Sequence, residues 1–488
     1  MSLASIVGLC VGSAFLLVIL ISLVRAIATS HAAPKGTPLP ESALEEAVGV
    51  EDALAQAVRR ATVSSYDKAA EDGAAFELFK SDLERLFPKV HEAMTREKIG
   101  DRALLYTWKG SDPKLESAIM CAHFDVVPAL DAAEWKHPPF SGDIAELCVW
   151  GRGTQDNKLM LISSLHAAER LIVSGFQPKR TIYFAFGGDE EIGGSRGARL
   201  IGEALASRKV KAAFLLDEGG PVADGLLSFV DRPLALIGIA EKGYMDVTVE
   251  AIGSGGHASM PPRKTVTGNL SRAVASIEDS PSKAKLGFTV RTFLGRVSSY
   301  SPFAIRLLFR NLWLFGPLVK AVFAAGGTTN AMIRTTYAPT MLMGSAKENV
   351  LADVAQANIN VRILPGETSA KVLARMESLT KAHGATVRVN HPESLVEPLP
   401  ESSVDNEGFR AIEAALGGAF PDAAAIPFLF SAGTDTKHYR AVAQAMYRLT
   451  PVKQTSQQLE GVHGRDERIE VANLRRCEIF YKRLLERL

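Results

Sequence analysis

The sequence predicts an open α/β sheet flanked by helices, with a smaller β-α-β-β-α-β unit inserted into it and one membrane-length apolar helix in front. Three observations lead there. From about residue 117, short buried apolar runs alternate with helical periodicity. Near Glu241 the rhythm changes to that of a separate small domain. Finally, Leu3–Val24 (LASIVGLCVGSAFLLVILISLV) carries no charged side chain and, as a helix, is about 33 Å long, enough to cross a bilayer.

Taken in order, that first run is expected to be an anchor. The rival reading is a cleaved signal peptide, because Ala26-Ile27-Ala28 has the small-x-small form of a cleavage site. A signal peptide, however, has a basic leader and a shorter apolar core, and no Lys or Arg precedes this one. Arg25 and Lys35, the only nearby charges, would by themselves place the large domain on the cytoplasmic side. Thr29–Pro40 (TSHAAPKGTPLP) reads as a tether, since three prolines and a glycine cannot extend a helix.

Residues 41–86 have helical spacing. Ser117–Phe124 then reads as a strand, Leu159–Val173 as a helix, Arg180–Phe186 as a strand, Ala198–Ala206 as a helix and Val210–Leu216 as a strand. The inserted unit is expected as strand Gly243–Ile252, helix Asn269–Ile277, strands Ala331–Met343 and Val354–Ile363, helix Ser369–His383 and strand Ala385–Val389. That order is the split βαβ, ferredoxin-like plan. Inside it, residues 282–328 hold an apolar stretch, SPFAIRLLFRNLWLFGPLVKAVFAAGG, helical in spacing and expected to break at Gly316-Pro317. It reads either as a hairpin with its own small core or as a greasy surface for an acyl chain or bilayer. The boundaries expected are an anchor 1–28, a linker 29–40, a first catalytic part 41–240, the inserted domain 241–395 and a second catalytic part 396–488.

Composition narrows the function. With 488 residues, 55 Lys+Arg against 54 Asp+Glu and a net charge of +1, the chain lacks the basic surplus of a nucleic-acid binder. At 47% hydrophobic and 22% charged it is neither disordered nor a collagen. Its four cysteines, Cys10, Cys121, Cys148 and Cys477, have no metal-type spacing and read as buried thiols.

Chemistry gathers at the ends of strands. The first delivers His123 and Asp125, two residues apart and so on one side, where the carboxylate can hold the second nitrogen of a metal-binding imidazole. A glycine-rich turn, VWGRGTQDNK, presents Asp156. The next strand runs into GGDEEIGG with Glu190 and Glu191, and the one after into Asp217-Glu218-Gly219-Gly220. Open α/β sheets build their sites at the carboxyl ends of strands. Gly193–Gly197 also fits G-x-S-x-G, but no strand runs straight into Ser195, so a serine-hydrolase elbow is discarded. No phosphate-cradling G-x-x-x-x-G-K-[ST] is present.

Together the strings CAHFDVVP, WKHPPFSGD, WGRGTQDNK, GGDEEIGG, LLDEGG, GSGGHASMPP, NVRILPG, SAGTDTKHY and GVHGRDERI resemble the co-catalytic zinc metallopeptidases that include glutamate carboxypeptidase and aminoacylase. Within them the chain is most similar to the branch of carboxypeptidase S and the N-fatty-acyl-amino-acid synthase/hydrolase, over residues 47–488. The resemblance implies the zinc-peptidase mixed sheet with an inserted lid/dimerisation domain, and two Zn2+ ions, with Co2+ or Mn2+ as substitutes. It assigns His123 and Asp217 to one metal, Glu191 and His463 to the other, and Asp156 to both. It makes Glu190 the general base toward a metal-activated water and sets Asp125 to orient His123. For the substrate it implies His257 as an oxyanion donor reaching a partner subunit, Arg362 on the substrate carboxylate, and Asn330 and Gly433 as further contacts. Ala352, Leu159 and Asn157 depart from the family pattern without removing a ligand.

The activity implied is cleavage of the amide bond next to a free amino-acid carboxylate, in N-acyl (including N-fatty-acyl) amino acids or peptide C-termini. A dipeptidase of the same family, or a catalytically silent membrane-tethered binding protein, are the alternatives. The second is opposed by competent residues at all five ligand positions and at Glu190. The partners expected are a substrate with a free carboxylate, a membrane through the first helix, no nucleic acid, and a second copy through the lid. Likeness to secreted and vacuolar relatives implies a single-pass membrane protein with an extracytoplasmic catalytic domain.

Overall fold

The computed structural model describes residues 2–28, 36–455, 458 and 461–488. Most of the expected tether, residues 29–35, therefore lies outside the described residues. The chain divides into two compact units: Ala33–Ile239 with Ser402–Phe428 and Thr434–Leu488, and Met1–Ala32 with Ala240–Glu401 and Leu429–Gly433.

Two sheets carry the argument. Their strands are β1 (Thr95–Ile99), β2 (Ala103–Trp108), β3 (Ser117–His123), β4 (Ile182–Gly187), β5 (Ala212–Ala223) and β6 (Leu234–Glu241). There follow β7 (Gly243–Ile252), β8 (Thr336–Met343), β9 (Val354–Ile363), β10 (Ala385–Val389), β11 (Ala424–Phe430) and β12 (Met446–Gln454). The helices used below are α1 (Leu3–Ile27), α2 (Lys158–Val173), α3 (Val266–Glu278), α4 (Phe303–Arg310), α5 (Leu312–Ala325), α6 (Ser369–Thr380), α7 (Glu407–Ala419) and α8 (Val471–Leu485).

The larger unit is built on an eight-stranded mixed sheet in the order β1-β2-β4-β3-β5-β12-β6-β11. Its centre, β4-β3-β5-β12, is parallel. Strand β3 (SAIMCAH) is buried along its whole length, which is why it reads as a continuous apolar run rather than an alternating one. Helices α2 and α8 pack on each other, and α8 also packs on α7 and β12. Phe124, just past β3, stacks on Phe79 with ring centroids 5.1 Å apart and meets Phe76 edge-on. Each such fully buried side chain contributes about 1.5–3 kcal/mol.

Because β3 and β4 are parallel with His123 opposite Gly187, the chain leaves both strands at the same edge of the sheet. Strand β5 departs from expectation. It does not stop at Leu216 but runs to Ala223, with irregular pairing to β12 around Arg448. Asp217 and Glu218 are thus consecutive residues inside a strand, and their side chains point to opposite faces.

In the second unit, the four-stranded antiparallel sheet β8-β9-β7-β10 is covered by α3 and α6. Strand β9 alternates strictly between buried and partly exposed residues, as a sheet with one covered face must. Met245, Val247, Leu270, Ile359 and Met376 form the core between them. The strand expected from Ala331 starts only at Thr336, because Gly327–Ile333 forms a helix. The apolar insertion also differs: it bends by 106° at Asn311, between α4 and α5, and Pro317 is taken into α5. Asn311 causes the bend, its side-chain amide donating to the Leu307 carbonyl (2.9 Å) and so ending α4. Cys10, expected buried, is exposed on α1, whereas Cys121, Cys148 and Cys477 are buried thiols.

Gly408, near the start of α7, tests this packing. Helix propensity alone favours Ala there by up to ~1 kcal/mol. A Cβ, however, would sit 2.3 Å from Cγ of Phe214, a buried ring in the core. Gly408→Ala is expected to destabilise the protein by about 1–3 kcal/mol in urea unfolding. An unchanged or raised midpoint would contradict this packing.

Candidate metal centre

The chain edges left by β3, β4 and β5 bring imidazoles and carboxylates together in the larger unit. Two groups could each hold a metal ion, and they share one residue: His123, Asp156 and Glu218 form the first, Asp156, Glu191 and His463 the second. Oδ1 of Asp156 is 2.9 Å from Nε2 of His123, and its Oδ2 is 2.8 Å from Nε2 of His463. Nε2 of His463 also lies 3.2 Å from Glu191, and Nε2 of His123 lies 3.4 Å from Glu218. Each carboxylate oxygen of Asp156 thus faces a different histidine.

The surroundings hold these groups in place. Nδ1 of His123 faces the backbone carbonyl of Asp125 at 3.1 Å and its carboxylate at 3.3 Å, which leaves Nε2 for a ligand. The Asp125 carboxylate accepts from the backbone N–H of Glu190 (3.1 Å), that of Glu191 (3.2 Å) and the Ser64 hydroxyl (2.7 Å). One buried aspartate therefore orients a histidine and fixes the turn carrying both glutamates. The Asp156 turn is held by Glu467, fully buried, whose Oε1 accepts from the N–H groups of Gly153, Gln155 and Asp156. Its other oxygen pairs with buried Arg152 at 2.7 Å. The Asp156–Asn157 peptide is cis. His463 has a φ of +60°, between Gly461 and Gly464.

Crowded charge shifts the protonation of this pocket. Burial, and next the charge of Glu218, push Glu190 well above the usual carboxylate range. Burial and Asp156 do the same to Glu218, and burial and Asp217 to Asp435. Burial alone would lower His123, but Glu218, Asp125 and Asp156 outweigh it and raise the imidazole well above its ordinary value. His463 is pushed up to about 10, first by its hydrogen bond to Asp156 and then by that to Glu191. Burial raises Asp156, yet the two histidines hold it low. Imidazole nitrogens with carboxylate oxygens, one carboxylate shared, form a donor set that suits a pair of divalent ions such as zinc.

Of the residues singled out from the sequence, His123, Asp125, Asp156, Glu190, Glu191 and His463 meet here. Glu218 joins them as a further converging carboxylate, and Oδ1 of neighbouring Asp217 accepts from the Glu218 N–H at 2.9 Å. Glu467, Arg152, Ser64 and Asp435 were also missed, although all but Ser64 stand inside the quoted strings GVHGRDERI, WGRGTQDNK and SAGTDTKHY. His257, Asn330, Arg362 and Gly433 belong to the other unit. There, exposed His257 accepts at Nδ1 from the Ser259 N–H (3.2 Å). Arg362, on β9, lies 4.7 Å from the centre of the Tyr244 ring and donates to the Ser431 carbonyl (3.3 Å), two residues from Gly433. Asn330 is in the helix Gly327–Ile333.

The sequence matches peptidase family M20/M25/M40 over residues 119–487. It is 36% identical over 412 residues to a probable carboxypeptidase S-like 2 of Dictyostelium discoideum, covering 84% of this chain and 78% of that one. It is also 36% identical over 436 residues to the N-fatty-acyl-amino acid synthase/hydrolase PM20D1 of Mus musculus, covering 88% of this chain and 86% of the other. Among solved structures, a metallo-carboxypeptidase from Sulfolobus solfataricus shares the fold with a TM-score of 0.65 at 15% identity, over 90% of this chain and 98% of that one.

The raised histidines set the pH behaviour of this centre. Without metal, His463 holds a proton below about pH 10 and His123 is likewise protonated at neutrality. Each must lose that proton to offer Nε2 as a ligand, so binding strengthens as pH rises. Calorimetric titration of Zn2+ into metal-free protein at pH 7, repeated in buffers of different ionisation heat, is expected to show release of at least about two protons, from the histidines and the raised Glu218 carboxyl. Binding with no proton release would contradict this geometry.

Proposed function

The chain belongs to peptidase family M20/M25/M40, and on that premise we propose that it is a dizinc hydrolase cleaving the amide bond next to a free amino-acid carboxylate. One observation carries the proposal: two three-residue ligand groups joined through Asp156, with the buried carboxyl of Glu190 beside them. On this reading His123 and Glu218 would hold one ion, Glu191 and His463 the other, and Asp156 would serve both. Such ions, when bound, polarise a scissile carbonyl and lower the pKa of a nearby water.

The chain's own residues do the rest. Glu190, acting from its carboxylate form, takes a proton from the attacking water, holds it because burial and the neighbouring carboxylates raise its proton affinity, and passes it to the leaving nitrogen. Asp125 keeps Nε2 of His123 aimed away from itself. Arg362 is proposed for the substrate carboxylate, where a planar guanidinium makes two parallel hydrogen bonds. His257 is proposed as the oxyanion donor, with Asn330 and Gly433 as further contacts. These four roles rest on the likeness of their motifs to the family.

Two features bear on the substrate and its location. One relative is named for N-fatty-acyl amino acids and another as carboxypeptidase S-like. The first of these names favours the lipophilic acyl substrate. Helix α1 is proposed as an anchor rather than a cleaved signal, because Ser22 and Ala26 near its end are buried and the buried Asn311 amide donates to the Ser22 carbonyl (3.0 Å). Cleavage after Ala28 would strip α4 of that partner. A second copy is proposed along β8, an edge strand with exposed Met341, Leu342 and Met343.

Hydrolysis by the full chain in detergent, with bound metal quantified, should be followed on long-acyl amino acids, short-acyl amino acids and C-terminal dipeptides. Long-acyl substrates are expected to turn over fastest, and Glu190→Gln to lower kcat by about 10²–10⁴-fold with metal content unchanged. Faster turnover of dipeptides would assign a carboxypeptidase or dipeptidase instead. Full activity in Glu190→Gln would overturn the mechanism.

A further inference from the structure

Helices α4 and α5 form an elbow that no chemistry of the metal centre uses. Both belong to the same unit as α1, and α4 packs on α1. The junction is built rather than incidental. Asn311, buried at the bend, donates from one amide nitrogen to the carbonyls of Leu307 and Ser22, and its oxygen accepts from the Trp313 indole N–H (3.2 Å). Ser22 and Ala26 are buried while most of α1 is exposed.

Beyond that junction the elbow presents Phe303, Trp313, Leu314, Leu318 and Val322 to the outside. A patch of this kind is costly in water, and it continues the apolar surface of α1. Charge points to what covers it. Residues 282–330 contain seven Lys or Arg and no Asp or Glu, in a chain whose net charge is only +1. Arg25 at the end of α1 and Arg306 both act on Arg310, so three cations cluster beside the apolar patch. Next to an anionic headgroup layer each cation near the surface gains about 1 kcal/mol. Neither helix alone is long enough to span, and the 106° bend between them argues against one straight span. The 14 residues of α5 reach about 21 Å and the 8 of α4 about 12 Å, both short of a hydrocarbon core of about 30 Å. Amphipathic helices of this kind, with a Trp at the boundary, lie in the plane of the interface.

We propose that the α4–α5 elbow embeds in the surface of an anionic lipid bilayer, at the point where α1 leaves it, so that the protein grips the membrane twice. This rests on reading α1 as an anchor. Trp313 provides the probe, since it is exposed while Trp108, Trp135 and Trp150 are buried. The full chain is reconstituted into phosphatidylcholine/phosphatidylserine vesicles, flotation is measured, and tryptophan emission is read with acyl chains brominated near the headgroup or near the bilayer centre. The protein should float, shallow bromines should roughly halve the Trp313 emission and deep ones should quench it less. Trp313→Phe should float equally and lose that quenching. Flotation with Trp313 unquenched, as a dimer contact or a free surface would give, overturns the elbow while leaving the anchor intact. Failure to float overturns both.

Discussion

Everything at the metal centre follows from crowding carboxylates around two imidazoles. Asp156 touches both histidines, and burial together with neighbouring carboxylates raises Glu190, Glu218 and Asp435 well above the usual carboxylate range. Two like charges 4 Å apart repel by about 4 kcal/mol at an effective dielectric of 20, so several such pairs would expel the groups into solvent if the backbone allowed it. The backbone does not allow it. Asp125 holds the Glu190–Glu191 turn by two N–H groups, and Glu467 with Arg152 holds the Asp156 turn. The fold supplies the rigidity, and divalent ions are the natural counter-charge.

That rigidity originates in the parallel centre of the large sheet. Parallel strands end at one edge, and the groups that follow β3 and β4 arrive there together with those of β5. Glycines let the turns approach. A Cβ at Gly194 would lie 2.3 Å from the Asp435 carboxylate, and its φ of +71° is one that side chains disfavour. A Cβ at Gly197 would lie 2.6 Å from the buried Asp189 carboxylate. The glycines that flank the acidic turn are therefore conditions of its packing.

The strands and the converging residues His123, Asp156, Glu190, Glu191 and His463 were legible in the sequence because strand termini rich in such groups are hard to explain as solvated loops. The convergence of Glu218 was not, since it depends on β5 continuing past Leu216, and that continuation is set by pairing with β12 rather than by local propensity. Glu467 and Asp435 were hidden for a similar reason: burial of a lone carboxylate is decided by its distant partners. The bend in the apolar insertion was misplaced because Gly316-Pro317 is the stronger local signal, whereas the bend is made by Asn311 reaching across to α1. The apolar N-terminal helix itself, 22 uncharged and mostly apolar residues from Leu3 to Val24, needed no tertiary information.

The central claim is a pair of ions joined by Asp156. Crystals of the zinc-loaded protein, measured on both sides of the zinc absorption edge, test it most directly. Two anomalous peaks roughly 3.5–4 Å apart, with Asp156 between them and Glu218 rather than Asp217 against the one nearer His123, are the predicted result. A single peak, or two that do not share Asp156, would contradict it.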